Sequence, residues 1–462
     1  MSARTPRPAS ILLVVDDEGR VLAGQRHPGL PFLGGVWSFP GGGVSARRDG
    51  PVTDGGFEKA ALREFREETG LAPETMGMST QDIREVVRWV TPDWSPLRFD
   101  TKFFHVCLNG SVGRDGFSPD NPDDPELLHL GFYGPRELLD RWSRLEILLA
   151  PPAYLVLSTM ANQDPRDADA LAEALSRYGD DTQNHFEPLR GIRMVALRTP
   201  TLPPATHTNT YMLGEERLLV VDPATYDHDE RERLVRILDR VNRPVEAVVL
   251  THHHEDHVGS AQWLAARYQV PIWAHAETEA RVDFFIDRRL EGGEILDIGR
   301  DASGAPFRFE LLHTPGHAAG HLCLRDLRPG SRAVVCGDMV ASIGTIIVDP
   351  EEGDMAVYMN QLKRLMDLGD TVLLPSHGAP ILRGRDKLRQ YLDHRDARER
   401  RVLGALELKR RSTALGLLET AYADTPVELW PLAERSCLAH LIKLEREGRV
   451  RRQDEAFSVI EA

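Results

Sequence analysis

Thr251-His252-His253-His254-Glu255-Asp256-His257 follows an apolar, strand-like run at residues 245–250, and its reading decides the fold of the central part of the chain. His252, His254, Asp256 and His257 form an H-x-H-x-D-H cluster. Four ligand-type side chains at the turn leaving a buried strand share one small volume, because the sheet holds the backbone while the loop wraps the site. Imidazole nitrogens favour zinc, copper or non-haem iron, and an added carboxylate admits iron or manganese. The pattern predicts a dinuclear hydrolytic site. Further candidates stand downstream: His317 in His313-Thr-Pro-Gly-His-Ala-Ala-Gly-His321, Asp338 after Ala333-Val-Val-Cys-Gly337, and His377 after Thr371-Val-Leu-Leu-Pro-Ser376. Each lies past a strand signal or at a turn marked by Gly or Pro, where loops at one sheet edge can deliver ligands to a common point.

With these residues, together with Asn209-Thr-Tyr-Met-Leu-Gly214 and Val221-Asp-Pro-Ala224, the chain resembles the metallo-β-lactamase superfamily over about residues 190–385. The resemblance implies an αββα sandwich in which His252, His254 and His317 hold one metal, Asp256, His257 and His377 hold the other, and Asp338 bridges them. It implies two zinc ions, or iron or manganese, and with such ions Asp256 or a metal-bound water would manage the proton. An aspartate at position 338 is similar to glyoxalase II and tRNase Z sites, which argues against antibiotic hydrolysis. Too few residues separate Asp338 from His377 to insert the cap domain of the RNA-processing β-CASP branch. His253 is expected to point away from the metals, and His321 to support the ligands or start a strand.

A second constellation lies near the N-terminus. Residues 57–69 predict a helix stopped by Gly70, and Glu64, Glu67 and Glu68 stand at i, i+3 and i+4 on one of its faces. Three like charges so placed repel one another unless cations lie between them, and carboxylates suit magnesium or manganese. Arg63-Glu-Phe-Arg-Glu-Glu-Thr-Gly-Leu71 and Pro40-Gly-Gly-Gly43 resemble the Nudix box, and the likeness spans about residues 8–160. It implies a Nudix αβα fold that cleaves a nucleoside diphosphate linked to another moiety. Glu64, Glu67 and Glu68 would bind Mg or Mn and act in catalysis, Arg63 would orient them, and Glu126 would be the distal acid. The box departs from the family at Gly55, where a glutamate is usual, with Asp54 and Glu58 as neighbours, and residues 45–54 are an insertion. Arg26-His-Pro28, Trp37-Ser-Phe-Pro-Gly-Gly42, Arg98-Phe-Asp-Thr-Lys-Phe-Phe104 and Pro151-Pro-Ala-Tyr-Leu155 are similar to the Nudix enzymes that cleave coenzyme A and its esters. ADP-ribose, nucleotide sugars and dinucleoside polyphosphates stay open as substrates.

Residues 383–411 hold 11 Lys or Arg against 5 Asp or Glu and no proline, which predicts a long helix with a basic surface. A helix over 434–447, Gly448 and a short strand at 449–453 follow. This order resembles the winged-helix tail of the lactamase-β-like protein 2 group, in which Arg411, Lys443, Arg449, Arg451 and Arg452 would meet phosphates of single-stranded RNA. The alternative function is therefore an endoribonuclease bearing a regulatory or degenerate Nudix module. The 462 residues suit about three domains. With the resemblances they imply an α/β and α+β multidomain chain: a Nudix domain at 1–162, a helical linker at 163–189, the metallo-β-lactamase-fold domain at 190–385 and a winged-helix-like domain at 386–462. Four scattered cysteines and no apolar run long enough for a membrane predict a cytoplasmic protein, and a net charge of −15 disfavours indiscriminate binding to nucleic acid or membrane. The resemblances imply an enzyme acting on small molecules such as coenzyme A or acyl-coenzyme A. A homodimer is compatible with this reading, and Cys336 is expected to be a strand residue and not a ligand.

Overall fold

A computed structural model describes residues 5–30, 33–52, 55–91, 97–108, 116–118, 125–178 and 185–460. Asp54, one of the two neighbours considered for the absent box glutamate, lies outside them. The chain forms two compact units, Met1–Ala196 and Leu197–Ala462, and the division falls within the strand Ile192–Arg198.

In the first unit the strands Arg7–Val15 and Phe99–Cys107 pair in parallel at the centre of a sheet. Their near-continuous apolar runs are those of strands covered on both faces. Leu12, Val14, Phe104 and Val106 point to one face and pack under Phe57, Ala61 and Phe65 of the helix Gly56–Thr69. Leu13, Val15 and Phe103 point to the other, beneath the helices Pro135–Ser143, Pro151–Met160 and Ala168–Ser176. The last of these comes from the segment read as a linker, and it braces this core through the buried Leu171 and Leu175. The helix Gly56–Thr69 ends at Gly70 in the left-handed conformation, with φ 72°.

The second unit contains two sheets. Arg288–Leu290, Ile272–His275, Val245–Val249, Leu218–Val221 and His207–Leu213 are adjacent in that order in one. Ile295–Arg300, Pro306–His313, Leu322–Asp326, Ala333–Gly337 and Val372–Pro375 form the other. The sheets meet where chain leaves the strands: the Leu322 amide donates to the Thr251 carbonyl at 2.9 Å, and the Asn209 amide to the Ser376 carbonyl at 2.7 Å. The loops carrying the histidines therefore open at one shared edge.

The helix Gly384–Lys409 serves two cores. Leu388, Tyr391 and Leu392 pack against the second sheet, while Val402, Ala405 and Leu406 enter a cluster with the helices Ala414–Ala421 and Trp430–Arg446. A three-stranded sheet of Arg411–Thr413, Ala456–Val459 and Val450–Gln453 closes that cluster. The last helix starts at Trp430 and not at residue 434, because Pro431 sits in the first turn, where its missing N–H leaves no bond unmade. The basic surface expected of the long helix is thinner than its composition suggests, since Arg395 and Arg398 are buried.

Candidate metal centre

The strand Val245–Val249 runs on through Leu250 and Thr251, and Asp222, at the end of the neighbouring strand Leu218–Val221, fastens that exit. Asp222 Oδ1 accepts from the Thr251 amide at 2.7 Å, and Oδ2 accepts from the Thr251 hydroxyl at 2.6 Å. His252 and His254 follow directly, and the short helix Glu255–Val258 turns Asp256 and His257 into the same space. His317 lies on the turn between Pro306–His313 and Leu322–Asp326, Asp338 follows Ala333–Gly337, and His377 follows Val372–Pro375.

These side chains fall into two linked groups. His254 Nδ1 lies 2.9 Å from His252 Nε2 and 3.0 Å from His317 Nε2, and the two Nε2 atoms are 3.3 Å apart. The edge of a tetrahedron of nitrogens around zinc is roughly 3.3 Å for Zn–N bonds of about 2.0–2.1 Å, so the triangle matches such an ion. In the second group, Asp256 Oδ1 stands 3.8 Å from His257 Nε2 and Oδ2 stands 3.6 Å from His377 Nε2. Asp338 reaches both groups: Oδ2 is 3.6 Å from His317 Nε2, while Oδ1 is 3.7 Å from His257 Nε2 and 3.5 Å from His377 Nε2.

Each imidazole has its other nitrogen engaged, which fixes ring orientation. His252 Nδ1 meets the Thr251 hydroxyl at 3.0 Å, His257 Nδ1 meets Asp222 at 2.9 Å and His254 Nε2 meets Glu352 at 2.8 Å. His317 Nδ1 meets the Ile347 carbonyl at 2.7 Å and His377 Nδ1 the His207 carbonyl at 3.0 Å. His257 Nε2 and Asp338 Oδ1, by contrast, are buried without a hydrogen-bond partner. Buried polar atoms are normally satisfied, so this pair, aimed into a ring of metal-type donors, fits a cation.

At His317, His252 and Asp338 the electrostatics agree. Burial pushes His317 down to about 4 and His252 well below its usual value, so both rings are neutral lone-pair donors at pH 7. Burial works against the Asp338 anion, but His377 and His257 outweigh it and hold the carboxyl well below the ordinary range. His321, fully buried, accepts from the Asp338 amide at 3.0 Å through Nε2 and meets Thr314 at 2.8 Å through Nδ1, so it sets the Asp338 loop. His253 stands outside both groups, 3.6 Å from Glu352. Cys336 is a buried strand residue.

In the first unit Arg63 organises the glutamate face. It donates to Asp49 at 2.7 and 3.0 Å, to Glu64 at 2.7 Å, to Glu67 at 3.0 Å and to the Gly43 carbonyl at 3.0 Å. Glu68 accepts from the Gly41 amide at 2.9 Å, and a Cβ on Gly42 would lie 2.5 Å from the Glu64 carboxyl, so the glycine run lets backbone close over the acids. Burial pushes the Glu64 carboxyl up, with Glu67 and Glu126 adding to the effect, and pushes the Glu68 carboxyl well up, with Glu64 and Glu126 adding. Glu67 turns outward to Arg48 and Arg63. The three glutamates do not close to within metal-ligand distance of one another; among the described residues, all such groups lie in the histidine site.

Three residues carry the geometry without having been read for it: Asp222, Glu352 and Asp49. Only Asp222 had a local signal, as the first residue past a buried strand.

Comparison with known proteins agrees with this geometry. Residues 203–377 match the model of the metallo-beta-lactamase superfamily, 413–458 the beta-lactamase associated winged helix domain, and 5–150 the NUDIX domain. A beta-lactamase-like protein 2 homolog of Drosophila melanogaster is 28% identical over 273 residues, covering 54% of this chain and 88% of the relative. The lactamase-like protein adaB of Aspergillus niger is 30% identical over 255 residues, covering 49% and 75%. An atrochrysone carboxyl ACP thioesterase of Aspergillus chevalieri is 28% identical over 216 residues, covering 45% and 63%. The chain belongs to the metallo-beta-lactamase superfamily and carries a NUDIX domain before, and a winged helix after, the region that defines it. Both catalytic families are hydrolases, and the chain is an enzyme of that class whose His and Asp clusters suit divalent metal ions. Among the described residues, no helix is long and apolar enough to cross a membrane.

Proposed function

We propose that the chain is a bifunctional metal-dependent hydrolase, with a dinuclear site cleaving a small-molecule ester or thioester and a Nudix site cleaving a nucleoside diphosphate-linked substrate such as coenzyme A. The observation that carries the reading is the convergence of His252, His254, His317, Asp256, His257, His377 and Asp338, each imidazole of the set held by its other nitrogen and two atoms buried without partners. The first three would hold one ion, the next three the other, and Asp338 would serve both. Zinc matches the nitrogen-rich group, and iron or manganese the carboxylate-bearing one. Two divalent ions, when bound, lower the pKa of water toward neutrality and stabilise the charge developing on the oxygen under attack. Asp256 lines the cavity beside His257 and His377, where a carboxylate can accept a proton and release it to solvent. The relative named as an acyl carrier protein thioesterase supports a thioester at this site.

In the Nudix domain, Glu64, Glu67 and Glu68 would take Mg or Mn, whose charge would offset the burial that pushes two of them up. The domain limits proposed are 1–162, 163–189, 190–385 and 386–462. RNA cleavage is the weaker reading, because two of the five tail cations, Lys443 and Arg449, face carboxylates of the tail itself. Lys443 pairs with Glu399 and Glu447, each at 2.8 Å, and Arg449 stands 3.6 Å from Glu399.

The test is parallel turnover of acyl-coenzyme A, free coenzyme A, ADP-ribose and single-stranded RNA by wild type, Asp256→Ala and Glu67→Gln. Thioester cleavage lost only in Asp256→Ala and diphosphate cleavage lost only in Glu67→Gln is the expected pattern. RNA cleavage lost only in Asp256→Ala, without diphosphate turnover by any form, would replace it with a nuclease carrying an inactive Nudix module.

A further inference from the structure

The histidine site opens into a cavity of about 610 Å³ that runs on to the C-terminal helices. That volume suits a small molecule larger than the bond being cleaved. Arg395, on the helix Gly384–Lys409, lines the same cavity. Its side chain is a cation held inside the protein, since the residue is only 3% exposed. One nitrogen, Nη2, donates to the Ile346 carbonyl and, at 3.4 Å, to the Thr345 hydroxyl, and the guanidinium stands 5.6 Å from the centre of the Tyr358 ring. Nε is buried with no hydrogen-bond partner.

The neighbouring arginines are treated differently. Arg398 donates to Asp424 at 2.9 Å, and Arg435 donates to Asp349 and to Glu351. Among the described residues, Arg395 has no carboxylate partner. A buried charge without a counter-charge is costly, and a guanidinium that lines a cavity with a donor to spare suits a carboxylate or phosphate.

We propose that Arg395 anchors an anionic group of the substrate, a carboxylate or a phosphate separate from the bond that is cleaved, so that the helix Gly384–Lys409 selects among the esters or thioesters the histidine site hydrolyses. This rests on the reading of that site as the hydrolytic centre. Arg395 also has a holding role to be told apart from anchoring. Ile346 precedes Ile347, whose carbonyl positions His317, so a purely structural arginine would affect every substrate alike.

The experiment measures kcat and KM of the metal-loaded, full-length protein on acetyl-pantetheine, which is neutral, on glutaryl-pantetheine, with a carboxylate on the acyl side, and on acetyl-4′-phosphopantetheine, with a phosphate on the thiol side. Wild type, Arg395→Lys and Arg395→Gln are compared. The expected result is a KM for one charged probe that rises about tenfold or more in Arg395→Gln, the range for loss of a charge-assisted hydrogen bond. Turnover of the neutral probe stays within about twofold, and Arg395→Lys lies between the two forms. The probe affected tells carboxylate from phosphate. Equal losses on all three probes, or no preference for either charge in wild type, would overturn the proposal.

Binding separates this inference from the thioester reading. If no probe is hydrolysed, the thioester reading fails, and thermal shifts with glutarate and with 4′-phosphopantetheine still read the anchor. A stabilisation present in wild type and lost in Arg395→Gln supports it; equal shifts in both proteins, or none in either, overturn it.

Discussion

Replacing Asp222 should loosen the histidine site more than replacing any residue outside the ligand set. The side chain is 1% exposed and accepts three hydrogen bonds, from the Thr251 amide at 2.7 Å, the Thr251 hydroxyl at 2.6 Å and His257 Nδ1 at 2.9 Å. In Asp222→Ala all three donors stay buried without an acceptor. Each orphaned donor costs about 1–3 kcal/mol, but losses within one network do not add, so the expected destabilisation is about 3–5 kcal/mol. The backbone contributes as well, because φ is 49° at this position. Alanine pays about 1–2 kcal/mol there, whereas asparagine tolerates the left-handed region. Asp222→Asn should therefore fall between wild type and Asp222→Ala, isolating the carboxylate from the backbone. Freed from its partner, His257 should lose orientation and zinc should bind about 10–100-fold more weakly. Guanidinium chloride unfolding of the metal-loaded protein, following the transition of the histidine-bearing unit, reads the first quantity, and competition with a chromophoric chelator reads the second. A destabilisation under about 1 kcal/mol together with unchanged zinc affinity would refute the reasoning.

Other expectations follow from the same geometry. Asp49→Ala removes two bonds to Arg63 from a carboxylate only 2% exposed, and should lower stability of the first unit by about 2 kcal/mol and diphosphate turnover at least tenfold, read by calorimetry and by product release. Hydrogen bonds from Arg398 and Arg401 hold Asp424 at about 2. Because that value is depressed, the pair stabilises the fold above the ordinary carboxylate range and the benefit disappears as pH falls from about 4 towards 2. Asp424 is half-exposed, so the effect should stay under about 1 kcal/mol, and Asp424→Asn should flatten stability against pH in that window. Chelation should lower the melting temperature of the histidine-bearing unit reversibly, with recovery on adding zinc or manganese, since an ion bound only by the folded state stabilises it by mass action. A melting curve indifferent to chelator would count against a metal there.

Much of the histidine site was legible in the chain because identity and local position coincide. His252, His254, Asp256 and His257 share one loop, and His317, Asp338 and His377 each stand at a strand end or tight turn, so strand signals alone located them. The helix Gly56–Thr69 with its stop at Gly70, and the helix Gly384–Lys409, were readable for the same reason: propensity and capping are short-range properties. The start of the last helix was missed by four residues, where a proline tolerated in the first turn resembles a break. The strand Arg411–Thr413 escaped because it is three residues long and its partner Ala456–Val459 lies far along the chain.

What only the tertiary structure decided was pairing across distance. Asp222 meets His257 from 35 residues away, Glu352 meets His254 from 98, and Asp49, inside the inserted segment, meets Arg63 from 14. The basic tail, counted by composition, promised free cations, yet folding matched Lys443, Arg398 and Arg435 to carboxylates and, among the described residues, left Arg395 without one. Composition counts charges, but an ion pair depends on which two side chains the packed elements bring within a few ångströms. The sequence by itself determined the ligand types, the strand-end loops that carry them and the helices; the fold determined which acids orient those ligands and which cation faces the cavity, because those contacts arise only when elements distant in the chain pack together.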